Sequence, residues 1–194
     1  MSLSVAYHPE KLVEANGIEL CVDSFGDPDN PALLLIMGLA TQLIHWDDEF
    51  CKALAAKGFW VIRFDNRDIG KSTKFHHHPQ PSVPALLANQ WFGRRFKAPY
   101  DLKDMARDAF GLMDALSVSR AHLVGVSMGG MIGQTMAILD PDRVISLTSI
   151  MSTTGARSLP RAKASVSMKM LRPVPKDEDS YVQHALKMWR LLHG

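Results

Sequence analysis

A chain of 194 residues, 46% hydrophobic and 22% charged, carries enough apolar surface for one sizeable globular core, so a single principal domain is expected. The formal net charge of +2 is small and the charges are interleaved in sign, which excludes a concentrated basic face for nucleic acid or anionic membrane. The longest apolar run, Ala32 to Met37 continuing through Ala40, is far too short for a membrane span, and residues 1–17 hold no stretch of signal-peptide length, so a soluble cytoplasmic protein is expected. Cys21 and Cys51 show neither paired nor metal-type spacing and stand where an apolar residue would serve, so both are expected as buried free thiols.

In chain order, Ile18 to Phe25 leans towards a strand, and the dense turn chemistry of residues 26–31 before the next apolar run predicts a hairpin-like opening. Ala32 to Met37 is continuously apolar and closed by Gly38, the pattern of a strand buried on both faces of a parallel sheet. Asp47 to Lys57 reads as a helix stopped by Gly58, and Trp60 to Phe64 as a second buried strand leading into a polar, glycine-containing loop from Asp65. Residues 74–99 are proline-broken and read as a long connection with one short helix near Ala85 to Phe92. Asp101 to Leu116 is helical, with Leu102, Met105, Ala109, Leu112, Met113 and Leu116 on one face and Asp101 at its N-terminus. Ala121 to Val126 is a strand, Met128 to Leu139 an apolar helix ending at Asp140-Pro141, and Val144 to Ile150 a further strand. The tail turns basic and proline-bounded over Arg157 to Pro175, then helical over Asp179 to His193, with Tyr181, Ala185, Trp189 and Leu192 on one stripe. Alternation of strands and helices predicts an α/β fold with a doubly wound, mostly parallel sheet over residues 1–152, followed by partial helical cap elements over 153–194.

The chemistry concentrates at Gly125-Val126-Ser127-Met128-Gly129. Gly-x-Ser-x-Gly alone is a weak signal, but here the serine sits directly between a buried strand and an apolar helix, the strand-turn-helix setting the motif requires. The sharp turn that lifts the hydroxyl out brings strand and helix backbones together, leaving no room for side chains at Gly125 and Gly129. At the helix N-terminus the Met128 N–H is placed to stabilise an oxyanion formed when the serine oxygen attacks a carbonyl. A second donor is expected from the loop after the strand ending at Met37, with the Leu39 N–H as candidate and Gly38 and Leu43 beside it as substrate-binding positions.

Leu33 to Trp46, the stretch Phe64-Asp65-Asn66-Arg67-Asp68-Ile69-Gly70-Lys71-Ser72 and Gly125 to Gly130 stand in the order and spacing of the α/β-hydrolase superfamily, and the chain most resembles its ester-hydrolysing members. That resemblance implies a serine hydrolase working through an acyl-enzyme on Ser127, with a small-molecule ester as substrate and neither cofactor nor metal. Two local departures are Met37-Gly38 where many relatives have His-Gly, and Asp68 where a glycine is common. A larger one concerns the triad, whose family order places an acid after a later strand and a histidine near the chain's end. After Ser127 only His184 and His193 remain, both on the expected cap helix, and Asp140 and Asp142 close the nucleophile helix. No residue is therefore assigned as base or acid, and the α/β-hydrolase pattern is read as stopping before them.

Several neighbouring features have plainer readings. The Asp65 to Ser72 loop is expected to bond backbone amides and brace the floor of the site. His45 is expected to satisfy a local hydrogen bond and Trp46 to pack in the core. His76, His77 and His78 are adjacent in a loop and cannot all face one ion, so they are read as surface. Epoxide hydrolases and dehalogenases share the fold but use an aspartate nucleophile, against which Ser127 argues. Two functions stay open: an active carboxylic-ester hydrolase, and a catalytically incomplete module whose exposed sheet edge at residues 144–150 seeks a second copy or a further segment.

Overall fold

The computed structural model describes residues 5–75, 98–156, 158–159, 175 and 177–193. The expected helix at 85–92, the three adjacent histidines and most of the basic stretch 157–175 lie outside them. Six strands, β1 (Tyr7–Ala15), β2 (Ile18–Phe25), β3 (Ala32–Ile36), β4 (Trp60–Phe64), β5 (Ala121–Val126) and β6 (Val144–Ile150), form one sheet in the order β1-β2-β4-β3-β5-β6. Strands β4, β3, β5 and β6 run parallel, while β2 is antiparallel to both β1 and β4. The helices are α1 (Asp48–Ala55), α2 (Leu102–Ala115), α3 (Met128–Leu139) and α4 (Glu178–His193). The sheet and α1 to α3 make up one compact unit, and α4 belongs to a second.

The hairpin lies elsewhere than expected. It joins β1 to β2 through Asn16 and Gly17, both at positive φ (53° and 76°), whereas β2 and β3 are not neighbours in the sheet. An Asn-Gly pair with both φ angles positive gives the turn whose twist matches the flanking strands. β1 is an edge strand of mostly exposed polar residues, so it needs little of the apolar patterning by which a strand is recognised.

The central strand explains the two-sided core. Leu34 and Ile36 of β3 pack with Ile62, Phe64 and Leu123 against Ala106, Ala109, Leu112 and Met113 of α2 and Ile132 and Met136 of α3. Leu33 and Leu35 point the other way, into a cluster with Phe25, Val61, Trp46 and the α1 residues Cys51 and Ala55. Successive side chains of a strand alternate between faces, so an unbroken apolar run demands cover on both. Each fully buried leucine or isoleucine here contributes ~1.5–3 kcal/mol.

The helix starts are encoded locally. The Asp47 carboxylate accepts from the Glu49 and Phe50 amides, and Asp101 and Asp104 form a reciprocal capping box at α2, closing orphan N–H groups of each first turn. Gly58, at φ 90°, supplies the left-handed residue after α1 that an L side chain adopts only with strain.

Both cysteines are buried and unpaired, and burial pushes each thiol up to about 11 from an ordinary 9.0. At pH 8 the native chain should therefore react with a thiol reagent such as Ellman's far more slowly than the urea-unfolded chain, which should titrate two thiols. The raised value also fixes a sign: an unfolded thiol ionises near 9.0 and the folded one near 11, so this contribution to stability is present below pH 9 and is lost as pH rises through 11. Prompt reaction of both thiols in native buffer would contradict the burial.

Candidate active site

Ser127 stands between β5 and α3 at φ 54° and ψ −119°, a backbone conformation that costs a non-glycine residue ~1–3 kcal/mol. Backbone bonds hold it there: its N–H donates to the Ile150 carbonyl at 2.9 Å and its carbonyl accepts from the Gly130 amide at 3.0 Å. The side chain is exposed at the end of the strand. The elbow's glycines are required by contact. A Cβ at Gly125 would lie 2.3 Å from the Gly129 carbonyl oxygen, and one at Gly129 2.1 Å from that of Ile36.

The loop after β3 comes against this turn. A Cβ at Gly38 would sit 3.3 Å from the Ser127 Cβ and 3.2 Å from the Val126 carbonyl oxygen, so Gly38, Ser127 and the first residue of α3, Met128, share one neighbourhood. Leu39 is 68% exposed on the rim of that loop, and Ala40 follows at φ 57°. Leu43 is placed differently from a pocket-lining residue: its side chain is 1% exposed, and its amide donates to the Asp65 carboxylate at 2.7 Å. His45 approaches the Gln42 carbonyl at 3.2 Å, and Trp46 packs in the α1-side core.

Beneath the loop the Asp65 to Ser72 stretch acts as a brace. Asp65 accepts from the Leu43 amide with one oxygen and from the Lys71 amide at 3.0 Å with the other, and Asn66 Nδ2 donates to the Met37 carbonyl at 3.0 Å. Gly70 is forced, since a Cβ there would fall 1.8 Å from Asp65 Oδ2. Asp68 sits at φ 68°, which explains why glycine suits this position. A short polar residue tolerates it, and here its carboxylate accepts from the Phe75 amide and the Tyr100 hydroxyl, both at 2.6 Å. Arg67 makes a bidentate pair with Asp108 of α2 at 2.6 Å on both oxygens, and Asp108 also accepts from Asn16 at 2.8 Å. Burial opposes the Arg67 charge, but Asp108's hydrogen bonds and charge outweigh it and hold the guanidinium's pKa above its ordinary value. The brace is thus anchored to both α2 and the β1–β2 turn.

Among the described residues no hydrogen bond joins the Ser127 hydroxyl to a histidine. Asp140 and Asp142 are at the far end of α3, roughly 18 Å along its axis from Ser127. His184 is on α4, in the second compact unit, and the His193 side chain lies outside the described residues. No cluster of metal-ligating side chains occurs among the described residues, nor a helix long and apolar enough to cross a membrane.

A mostly parallel sheet in this strand order, with a strained serine between a central strand and its helix, defines a hydrolase-type α/β architecture. A family model described as the alpha/beta hydrolase fold matches residues 31–181, and the chain belongs to that family. Among characterised relatives, rhodomycin D methylesterases of two Streptomyces are 30% and 28% identical over 96% of this chain. The chain spans 63% of the length of those relatives. Of solved structures, a membrane phospholipase A described as a bacterial virulence factor superposes with TM-score 0.63 at 28% identity, covering 84% of this chain and 44% of that one. The enol-lactonase from Burkholderia xenovorans superposes with TM-score 0.55 at 29% identity over 71% of this chain and 45% of its own.

Proposed function

We propose that this chain carries the nucleophile and the oxyanion donors of a serine hydrolase that cleaves carboxylic esters through an acyl-enzyme. The observation that carries the proposal is Ser127 itself, an exposed residue held at φ 54° and ψ −119° next to Gly38. Such strain persists only where surrounding structure imposes it. Ser127 Oγ attacks the ester carbonyl and gives up its proton to a base; the carbonyl oxygen takes the negative charge, held by the Met128 and Leu39 amides; the alkoxide departs with a proton, and water releases the acid. Gly38 admits the substrate close to the serine, the exposed Leu39 and half-buried Met128 favour an uncharged acyl group, and Leu43 supports the loop from beneath. The methylesterase and enol-lactonase relatives support an ester or lactone carbonyl as the target. Residues 153–194 are proposed as cap elements. The two buried free thiols support a cytoplasmic setting. The test is covalent capture by a fluorophosphonate probe, with Ser127 as the labelled residue. If the intact chain stays unlabelled while a known serine hydrolase in the same tube reacts, the reading fails.

A second reading has its own observation. β6 ends the sheet order among the described residues, with Ile145 on the strand 42% and Met151 just after it 75% exposed. An open strand edge flanked by apolar side chains favours a catalytically incomplete module that pairs with a second copy or a further segment. Light scattering behind size exclusion should then show a dimer or larger species at micromolar concentration; a clean monomer counts against it.

A further inference from the structure

The exit from β6 reaches back to the elbow. The Ser152 hydroxyl donates to the Ser127 carbonyl at 2.7 Å, while the Ile150 carbonyl accepts from the Ser127 amide at 2.9 Å. Both faces of the strained residue are therefore gripped by one three-residue segment. That segment is itself bent to do so, for Met151 between them has φ 47°. The contact is also close enough to dictate sequence: a Cβ at Gly130 would fall 2.6 Å from Ser152 Cβ and 2.7 Å from Ser149 Oγ. The second glycine of Gly129-Gly130 thus makes room for the β6 exit rather than for the turn.

The Ser127 carbonyl and the Met128 N–H belong to one planar peptide unit. The Gly130 and Met131 amides also donate to this carbonyl, at 3.0 and 3.3 Å. The shorter Ser152 bond adds to their hold on its direction, and so on the N–H opposite it, and by withdrawing electron density from the carbonyl it makes the N–H a stronger donor. We infer that Ser152 is a positioning residue for the oxyanion hole, orienting and polarising the Met128 N–H through the Ser127–Met128 peptide. The inference rests on the reading of Ser127 as nucleophile and of Met128 as oxyanion donor. It assigns Ser152 no contact with substrate.

The experiment compares the intact chain with Ser152→Ala and Ser152→Thr in two measurements. In 15N-labelled protein, Ser152→Ala should shift the Met128 amide resonance more than any other outside residues 150–153, and Ser152→Thr should restore it. In kinetics on an uncharged ester, Ser152→Ala should lower kcat by about 10- to 100-fold, below the full loss of an oxyanion donor, with KM changed less than about two-fold, and the threonine variant should recover most of kcat. Fluorophosphonate capture should slow in parallel. An unmoved Met128 resonance overturns the inference whatever the activity, as does undiminished capture in Ser152→Ala when the parent chain is captured. A parent chain that is not captured, alongside a shifted Met128 resonance, would instead remove the hydrolase reading and leave only a structural bond.

Discussion

Ser127→Ala is expected to abolish fluorophosphonate capture and to reduce any ester hydrolysis to what the oxyanion donors and binding supply alone, on the order of a thousand-fold over water. The loss should come without unfolding, because the serine's hydroxyl makes no bond to a histidine among the described residues and the backbone bonds to Ile150, Gly130 and Ser152 do not involve it. Ser127→Gly sharpens the test. At φ 54° and ψ −119° an L side chain is strained while glycine is not, so this variant should lose capture and yet keep or gain stability, by up to ~1 kcal/mol. Activity and stability moving in opposite directions at one residue is the signature of strain kept for function. A marked loss of stability in both variants would show that Ser127 is there to hold the turn.

Gly129→Ala is expected to have the largest effect on stability, because the new methyl would meet the Ile36 carbonyl oxygen at 2.1 Å and the Met37 carbonyl oxygen at 2.8 Å. Both obstacles are backbone atoms in and just after the central buried strand, so relief requires moving α3 off the sheet. A cost of about 3 kcal/mol or more follows, at the upper end for single substitutions. Gly133, one turn along the same helix, is the control: its Cβ would press on Leu147 Cδ1, at 2.7 Å, the end of a side chain that can turn away, and would meet Leu123 Cδ1 at an ordinary 3.9 Å. Gly133→Ala should cost less than about 1 kcal/mol, since a helix interior itself prefers alanine. Urea midpoints for the two variants measure the difference, and similar midpoints would contradict the close approach at the elbow.

Much of the site could be read from the chain because its causes are local. The runs Ala32 to Met37 and Trp60 to Phe64 became the buried strands Ala32–Ile36 and Trp60–Phe64, parallel to each other, and Asp101 capped its helix. The elbow serine lay where its flanking strand and helix required. The hairpin was misplaced because β1 is an edge strand with scarcely any apolar face, although Asn16-Gly17 was the available signal. Asp68 read as a departure from pattern until its φ of 68° showed what the position demands. Leu43 was expected at the pocket as an apolar residue near Leu39, but it stands in a short 3-10 turn over Leu43–His45 and is buried.

Ser152 had no comparable signal. It is separated from Ser127 by a helix and a strand, and only the parallel pairing of β5 with β6, Val126 opposite Ile150, brings its hydroxyl to the elbow. The same holds for Asn66 beneath Met37 and for Asp108 against Arg67, 41 residues apart. By itself, the sequence determined most of the described elements from β2 onward and the presence of a glycine-bounded serine at a sharp turn, because periodicity, caps and turn residues act over a few neighbouring positions. Tertiary structure alone decided which polar groups grip that serine and its neighbouring loop. Those partners meet through sheet register and helix packing, which join residues that no local pattern relates.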